Sequence, residues 1–110
     1  MIKIFVDDVR PTPNDFDYRC NTVSETVSLI NKLYKKGNSE ILLSLDHDAG
    51  DFAANGGGDY INILNRLEDM RHGGHLTHLN LFIHPHSMNV VGVQNMRNII
   101  NANSKWMREI

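Results

Sequence analysis

Apolar and polar positions along this chain fall into short runs whose period alternates between strand-like and helix-like. Ile2 to Val6 is rich in β-branched and aromatic residues and stops abruptly at Asp7-Asp8, followed by Arg10-Pro11-Thr12-Pro13; this predicts a strand running into a loop. Residues 16–20 predict a short second strand. Thr22-Val23-Ser24-Glu25 then has the spacing of a capping box, and Val23, Val27, Ile30 and Leu33 or Tyr34 recur at helical spacing. Lys32, Lys35 and Lys36 complement the dipole at the far end of that helix, and Gly37 stops it. Glu40 to Leu45 is a mostly continuous apolar run, as in a strand buried on both faces, and it too ends in acids, at Asp46-His47-Asp48. Residues 49–58 read as a Gly-rich mobile loop, and Tyr60, Ile61, Ile63, Leu64 and Leu67 as a second amphipathic helix that ends before Gly73-Gly74. Residues 79–83 predict a strand leading into His84-Pro85-His86-Ser87, and residues 91–100 a last helix. Residues 101–110 read as a polar tail docked through Trp106 and Met107.

Strands alternating with helices predict an α/β protein with a parallel sheet and right-handed crossovers, so the C-terminal ends of all strands share one edge. Ligands bind at that edge, where the strand order reverses. Composition adds three constraints. With 110 residues the chain makes one domain, able to bury a core without disulfides. Cys20 has no partner, and the apolar run within residues 1–7 is too short for a signal peptide or a membrane span; both point to a soluble, cytoplasmic protein with no membrane partner. Thirteen acidic residues against eleven Lys and Arg give a net charge of −2, so an anionic substrate has to be held by a local site rather than by the overall field.

The candidate chemistry collects at the strand ends. Asp7, Asp8, Asp46 and Asp48 are hard oxygen ligands that would repel one another unless a cation compensates, which suits Mg²⁺ or Mn²⁺. Against this stands the reading in which individual acids cap helices or pair with Arg10. Strand alternation puts His84 and His86 on one side, and two imidazoles can serve as base and acid for attack of water on a phosphodiester. The competing reading makes one of them, His84 in particular, a core group. Ser87 and Asn89 can bond nonbridging oxygens, and the helix start near Val91-Gly92 offers N–H groups to phosphate. His72, His75 and His78 around Gly73-Gly74 read as a solvated loop, and Met70, Met88 and Met96 as core filling.

Four segments together resemble the cyclic-phosphate processing receiver-like family: Ile4-Phe5-x-Asp7-Asp8-x-Arg10-Pro11-Thr12-Pro13, Ser44-Leu45-Asp46-His47-Asp48-x-Gly50, Gly58-x-Tyr60, and His86-Ser87-x-Asn89-x-x-Gly92-x-x-Asn95-Met96. The resemblance covers about residues 2–100; Val90 stands where the family usually has proline, and the segment 51–57 is longer. It implies a receiver-like (flavodoxin-like) three-layer sandwich that lacks the first receiver helix and the last strand, with a reduced parallel sheet of about four strands, order 2-1-3-4, within a single domain 1–110. It also implies processing of 2′,3′-cyclic phosphate RNA ends or small cyclic nucleotides. Under that reading Asp7, Asp8 and Asp46, with Asp48, hold the cation; His47, His86, Ser87 and Asp46 carry the chemistry; and Arg10, His84, Asn89 and Gly92 bind the substrate. Two other readings stay open. In one, the same crevice captures a cyclic nucleotide or a protein partner without turnover. In the other, Asp46 accepts a phosphoryl group that Ser87 senses, as in a signalling receiver; that requires a lysine after a fifth strand, and Lys105 in the polar tail is the only lysine beyond residue 90.

Overall fold

In the computed structural model, which describes residues 1–110, the strand-like runs form one all-parallel sheet. The strands are β1 (Ile2–Val6), β2 (Tyr18–Cys20), β3 (Glu40–Leu45), β4 (Asn80–Pro85) and β5 (Met107–Glu109), in the order β2-β1-β3-β4-β5. The helices are α1 (Val23–Lys35), α2 (Ala53–Gly56), α3 (Ile61–His72) and α4 (Val90–Ala102). Helix α1 starts where the capping box placed it: Thr22 Oγ1 accepts the Glu25 N–H at 3.0 Å, and Glu25 Oε1 accepts the Asn21 N–H at 2.8 Å, one residue ahead of the cap. Residues 49–58, expected as a loop, instead wind into a 3₁₀ turn at Gly50–Phe52 followed by α2.

The topology decides which face of the sheet is covered. From β2 to β3, β3 to β4 and β4 to β5 the chain steps across the sheet in one direction through helices, and right-handed crossovers in one direction lie on one face. Accordingly α1 packs on α3 and α3 on α4, over a core of Ile4, Val6, Ile41, Leu43, Leu45, Leu81 and Ile83. Only β1 to β2 steps the other way, and residues 7–17 contain no helix. The expected three-layer sandwich is therefore corrected to two layers. On the second face Phe5, Ser44 and His84 lie side by side in register, as do Lys3, Leu42 and Phe82. Leu42 and Phe82 are half-buried, so β3 is not covered on both faces as its apolar run suggested. The loop before β2 covers part of this face, with Phe16 edge-on to Phe5 at 5.5 Å.

A second correction concerns the tail. The order 2-1-3-4 holds for the first four strands, but residues 107–109 add β5 at the edge. Asn103 ends α4 and turns the chain, its Oδ1 accepting the Trp106 indole N–H at 3.3 Å. The Leu81 N–H then bonds the Trp106 carbonyl at 2.8 Å and starts the pairing of β5 with β4. Trp106 and Met107 do dock, both buried, with Arg71 over the indole at 5.0 Å. Three residues, two of them the exposed Arg108 and Glu109, carry too little period to be read as a strand. No helix is long and apolar enough to cross a membrane.

Burial of the indole predicts that Trp106→Ala costs about 3–5 kcal/mol in urea unfolding. Breaking the exposed Arg97–Glu109 pair with Arg97→Ala is expected to cost no more than about 1 kcal/mol. Equal, small losses would show that the tail is not docked.

Candidate functional site

Strand alternation and the abrupt ends of β1 and β3 bring Asp7, Asp8 and Asp46 together, with one carboxylate oxygen from each within 4.8 Å of the others. These ends flank the point where the strand order reverses, since β1 lies between β2 and β3. Asp7 is fully buried. Its Oδ1 accepts the N–H groups of Val9 and Arg10, both at 2.9 Å, and its Oδ2 meets His86 Nε2 at 2.8 Å. Burial alone pushes this carboxyl up, but the Arg10 and Val9 N–H groups and the His86 hydrogen bond and charge outweigh it and bring the pKa down to about 2. Asp8 goes the other way. Burial, contact with Asp7 and the charges of Asp7 and Asp46 raise its pKa. Asp8 Oδ2 leaves no room for a Cβ on residue 50, where glycine also supplies the required φ of +57°.

The trio fits a hard divalent cation. Its donors are all carboxylate oxygens, and the like-charge crowding at Asp8 is what a cation relieves. Asp7 has one acceptor position left after its three hydrogen bonds. Asp48, expected in the same set, stands outside it: its Oδ1 pairs with His47 Nδ1 at 2.9 Å, and it groups with His47 and Asp59.

The two histidines expected to share the chemistry are held differently. His86 has both nitrogens engaged, Nε2 on Asp7 and Nδ1 2.8 Å from Ser44 Oγ. With its proton on the Asp7 side, Nδ1 accepts the Ser44 hydroxyl. The ring stacks on Phe5 at 4.8 Å with 2° between the planes, and Arg10 Nη1 donates to the His86 carbonyl at 2.7 Å. His47 pairs only through Nδ1; the 2.9 Å contact to Asp48 fixes the proton there, and the Asn89 amide at 3.4 Å is the weaker neighbour. No buried side-chain polar atom lacks a partner, so His47 Nε2 reaches solvent with its lone pair free. The ring lies against Gly92, where a Cβ would come within 2.4 Å of it. That contact explains the glycine, whose N–H is already bonded to Asn89 Oδ1 at 2.9 Å and is not open to a substrate as expected.

Ser87 Oγ accepts the Asn89 N–H at 3.0 Å, and Asn89 caps α4. Each uses its oxygen as acceptor and keeps its O–H or N–H₂ free to donate to an anion. The Val90 and Val91 N–H groups at the start of α4 add two donors at the positive end of the helix dipole. His84 sits apart from this edge, exposed on the helix-free face, with Nδ1 3.1 Å from the Ile110 carbonyl.

Four supporting residues have roles that the sequence did not assign. Ser44 lies mid-strand, and only the register that sets it beside His84 shows its partner two residues on. Arg19, also mid-strand, donates to the carbonyls of Asp7 and Arg10 and lies 5.8 Å over the Phe5 ring, fixing the loop after β1. Asp59 Oδ1 accepts the Ala49 N–H at 3.1 Å, and the neighbouring Tyr60 N–H bonds the His47 carbonyl at 2.9 Å. Tyr60 Oη, buried, donates to the Asn21 carbonyl at 2.7 Å. The segment Gly58-Asp59-Tyr60 thus clamps the loop that carries His47; in sequence only its place in the motif marked it.

The family model for the cyclic-phosphate processing receiver domain matches residues 2–102. The chain belongs to that family. No curated protein and no solved structure matches it. The match takes in β1 through α4, and so every residue of this receiver domain's acid cluster, both histidines of the edge and the α4 cap. Only β5 lies beyond it.

The depressed pKa of Asp7 has a stability consequence. Its contribution, roughly 2 kcal/mol, is complete above the ordinary value of 3.8 and is lost as pH falls through about 2. Urea midpoints followed from pH 6 to pH 2 are expected to fall more steeply for this receiver domain than for Asp7→Asn. Parallel curves would show that Asp7 is not held ionised.

Proposed function

We propose that the protein is a cation-assisted phosphoesterase that opens a 2′,3′-cyclic phosphate on an RNA end or a nucleotide. The observation that supports this best is the pairing, at one sheet edge, of an acid trio anchored by the buried Asp7 with a histidine whose Nε2 has no partner. Asp7, Asp8 and Asp46 would hold Mg²⁺ or Mn²⁺, which supplies Lewis acidity toward a phosphate oxygen when bound. Donors on Ser87, Asn89 and the first turn of α4 would orient the remaining oxygens. His47 Nε2 takes a proton from water as the water oxygen forms its bond to phosphorus. One ring P–O bond breaks, the leaving ribose oxygen takes a proton from solvent, and a monoester end results. His86, with both nitrogens bonded, is the positioning residue: it keeps Asp7 aimed and ionised.

The test is mass spectrometry of a short RNA ending in a 2′,3′-cyclic phosphate, in excess over the protein, with Mg²⁺, Mn²⁺ or EDTA. Conversion to a monophosphate end beyond one equivalent, suppressed by EDTA and lowered about 10²–10⁴-fold in His47→Ala, is the expected result. Binding that saturates at one equivalent without conversion would replace the enzyme with a capture protein. The phosphoacceptor reading finds no support in β5, because Lys105 precedes the strand and Met107-Arg108-Glu109 contains no lysine.

The raised pKa of Asp8 gives a second test. Asp8→Asn is expected to raise the melting temperature of the metal-free protein at pH 7, by removing like-charge crowding, and to abolish the further rise with Mg²⁺ seen in the parent. An equal Mg²⁺ response in both would remove the trio as the cation site.

A further inference from the structure

We propose that the helix-free face of the sheet holds the base of the substrate, a single nucleoside seated beside the acid cluster with its cyclic phosphate at Arg10. The placement of the phosphate rests on the phosphoesterase reading; the base site rests on the face itself. An all-parallel sheet is normally covered on both faces, and here one face lacks its helices next to the site. What it has instead is an open cleft of about 460 Å³, lined by Pro11, Pro13 and Phe16 of the loop before β2 and by Phe5 and His84 of the sheet. That volume lies within the range of small-molecule sites, roughly 300–1,000 Å³.

The lining selects a flat ring with a polar edge. Phe16 is half-buried and edge-on to Phe5, which leaves aromatic surface toward the cavity, and proline rings complete the apolar wall. His84 lines the same space with Nε2 unpartnered, a single group for the edge of a base. The cavity also meets the reacting end. His86 lines it and bonds Asp7 Oδ2 at 2.8 Å, so one ring belongs to both places. Arg10 stands at the junction, Nη1 on the His86 carbonyl and 3.7 Å from Asp7 Oδ2, with its other donors free for the single charge of a phosphodiester. A neighbouring space of about 260 Å³ shares Phe16, Ser44 and His84 and continues along the sheet to Ile110, so the base site is open at one side to a preceding nucleotide.

Calorimetry with Mg²⁺ compares adenosine 2′,3′-cyclic phosphate with methyl riboside 2,3-cyclic phosphate, which has the same phosphate and sugar and no base. The nucleotide is expected to bind about tenfold more tightly. Phe16→Leu, which keeps an apolar contact on Phe5, is expected to erase that difference while leaving the base-free ligand unchanged. Equal affinities, a difference that survives in Phe16→Leu, or failure of both ligands to bind would each overturn the base site. Given base-dependent binding, competition by an oligonucleotide with the same terminal nucleoside identifies a chain end as the source, and its absence a free nucleotide. Turnover is read separately: base-dependent binding without conversion removes the phosphoesterase reading alone, and conversion of both ligands at equal affinity removes the base site alone.

Discussion

The buried carboxylate of Asp7 is the constraint on which the rest of the site depends. A fully buried charge is tolerated only when it is thoroughly bonded, and Asp7 divides its oxygens between two tasks. One oxygen takes two backbone N–H groups and so shapes the turn that presents Asp8 and Arg10. The other takes His86, which ties the end of β1 to the segment after β4 across the intervening β3. From this follow the position of Arg10, bonded to the His86 carbonyl, and the alignment of the Phe5–His86 stack. A neutral residue of the same shape would keep the volume and lose the charge that orients these groups.

Loss of the second helical layer moves the burden of covering β1 and β3 onto the loop before β2. That loop is fixed from below by Arg19, which bonds two of its carbonyls and Thr12, and from its far end by Phe16 on Phe5. It is thinner than a helix and leaves space beside it, which is why the largest aromatic-lined cavity lies next to the acids rather than inside the helical side. Structural economy on one face thus creates access on the same face.

What could be read from the sequence followed local periodicity. Apolar runs of strand length ending in Asp7-Asp8 and Asp46 placed three acids at one edge, and a helical period with Thr22 and Glu25 set the start of α1. What could not be read depends on contacts between distant positions. Ser44 and His86 are 42 residues apart, and Asp7 and His86 are 79 apart; no spacing rule links them. The missing first helix was implied by the family resemblance, but the apolar run of β3 hid its consequence, because it looks the same whether a helix or a proline-rich loop lies above it. Strand β5 escaped because its edge position needs only Met107 to be apolar. Asp48 was misplaced because its two-residue spacing from Asp46 suggested a shared site, whereas the chain bends at His47 and Asp48 turns to that histidine's Nδ1.

The same constraint separates the two histidines that the sequence presented as a pair. His86 is two positions beyond His84 on an extended chain, and that geometry aims it at Ser44 and Asp7, where both nitrogens are consumed. His47 follows an aspartate at a strand end, where the ring packs against Gly92 and Nε2 is left without a partner. A residue with both donor and acceptor capacity already used can fix a neighbour's charge but has nothing left for a reacting proton. On the proposed phosphoesterase reading, proton transfer would fall to His47, beside the donors of the α4 cap, and orientation to His86, beneath the acids.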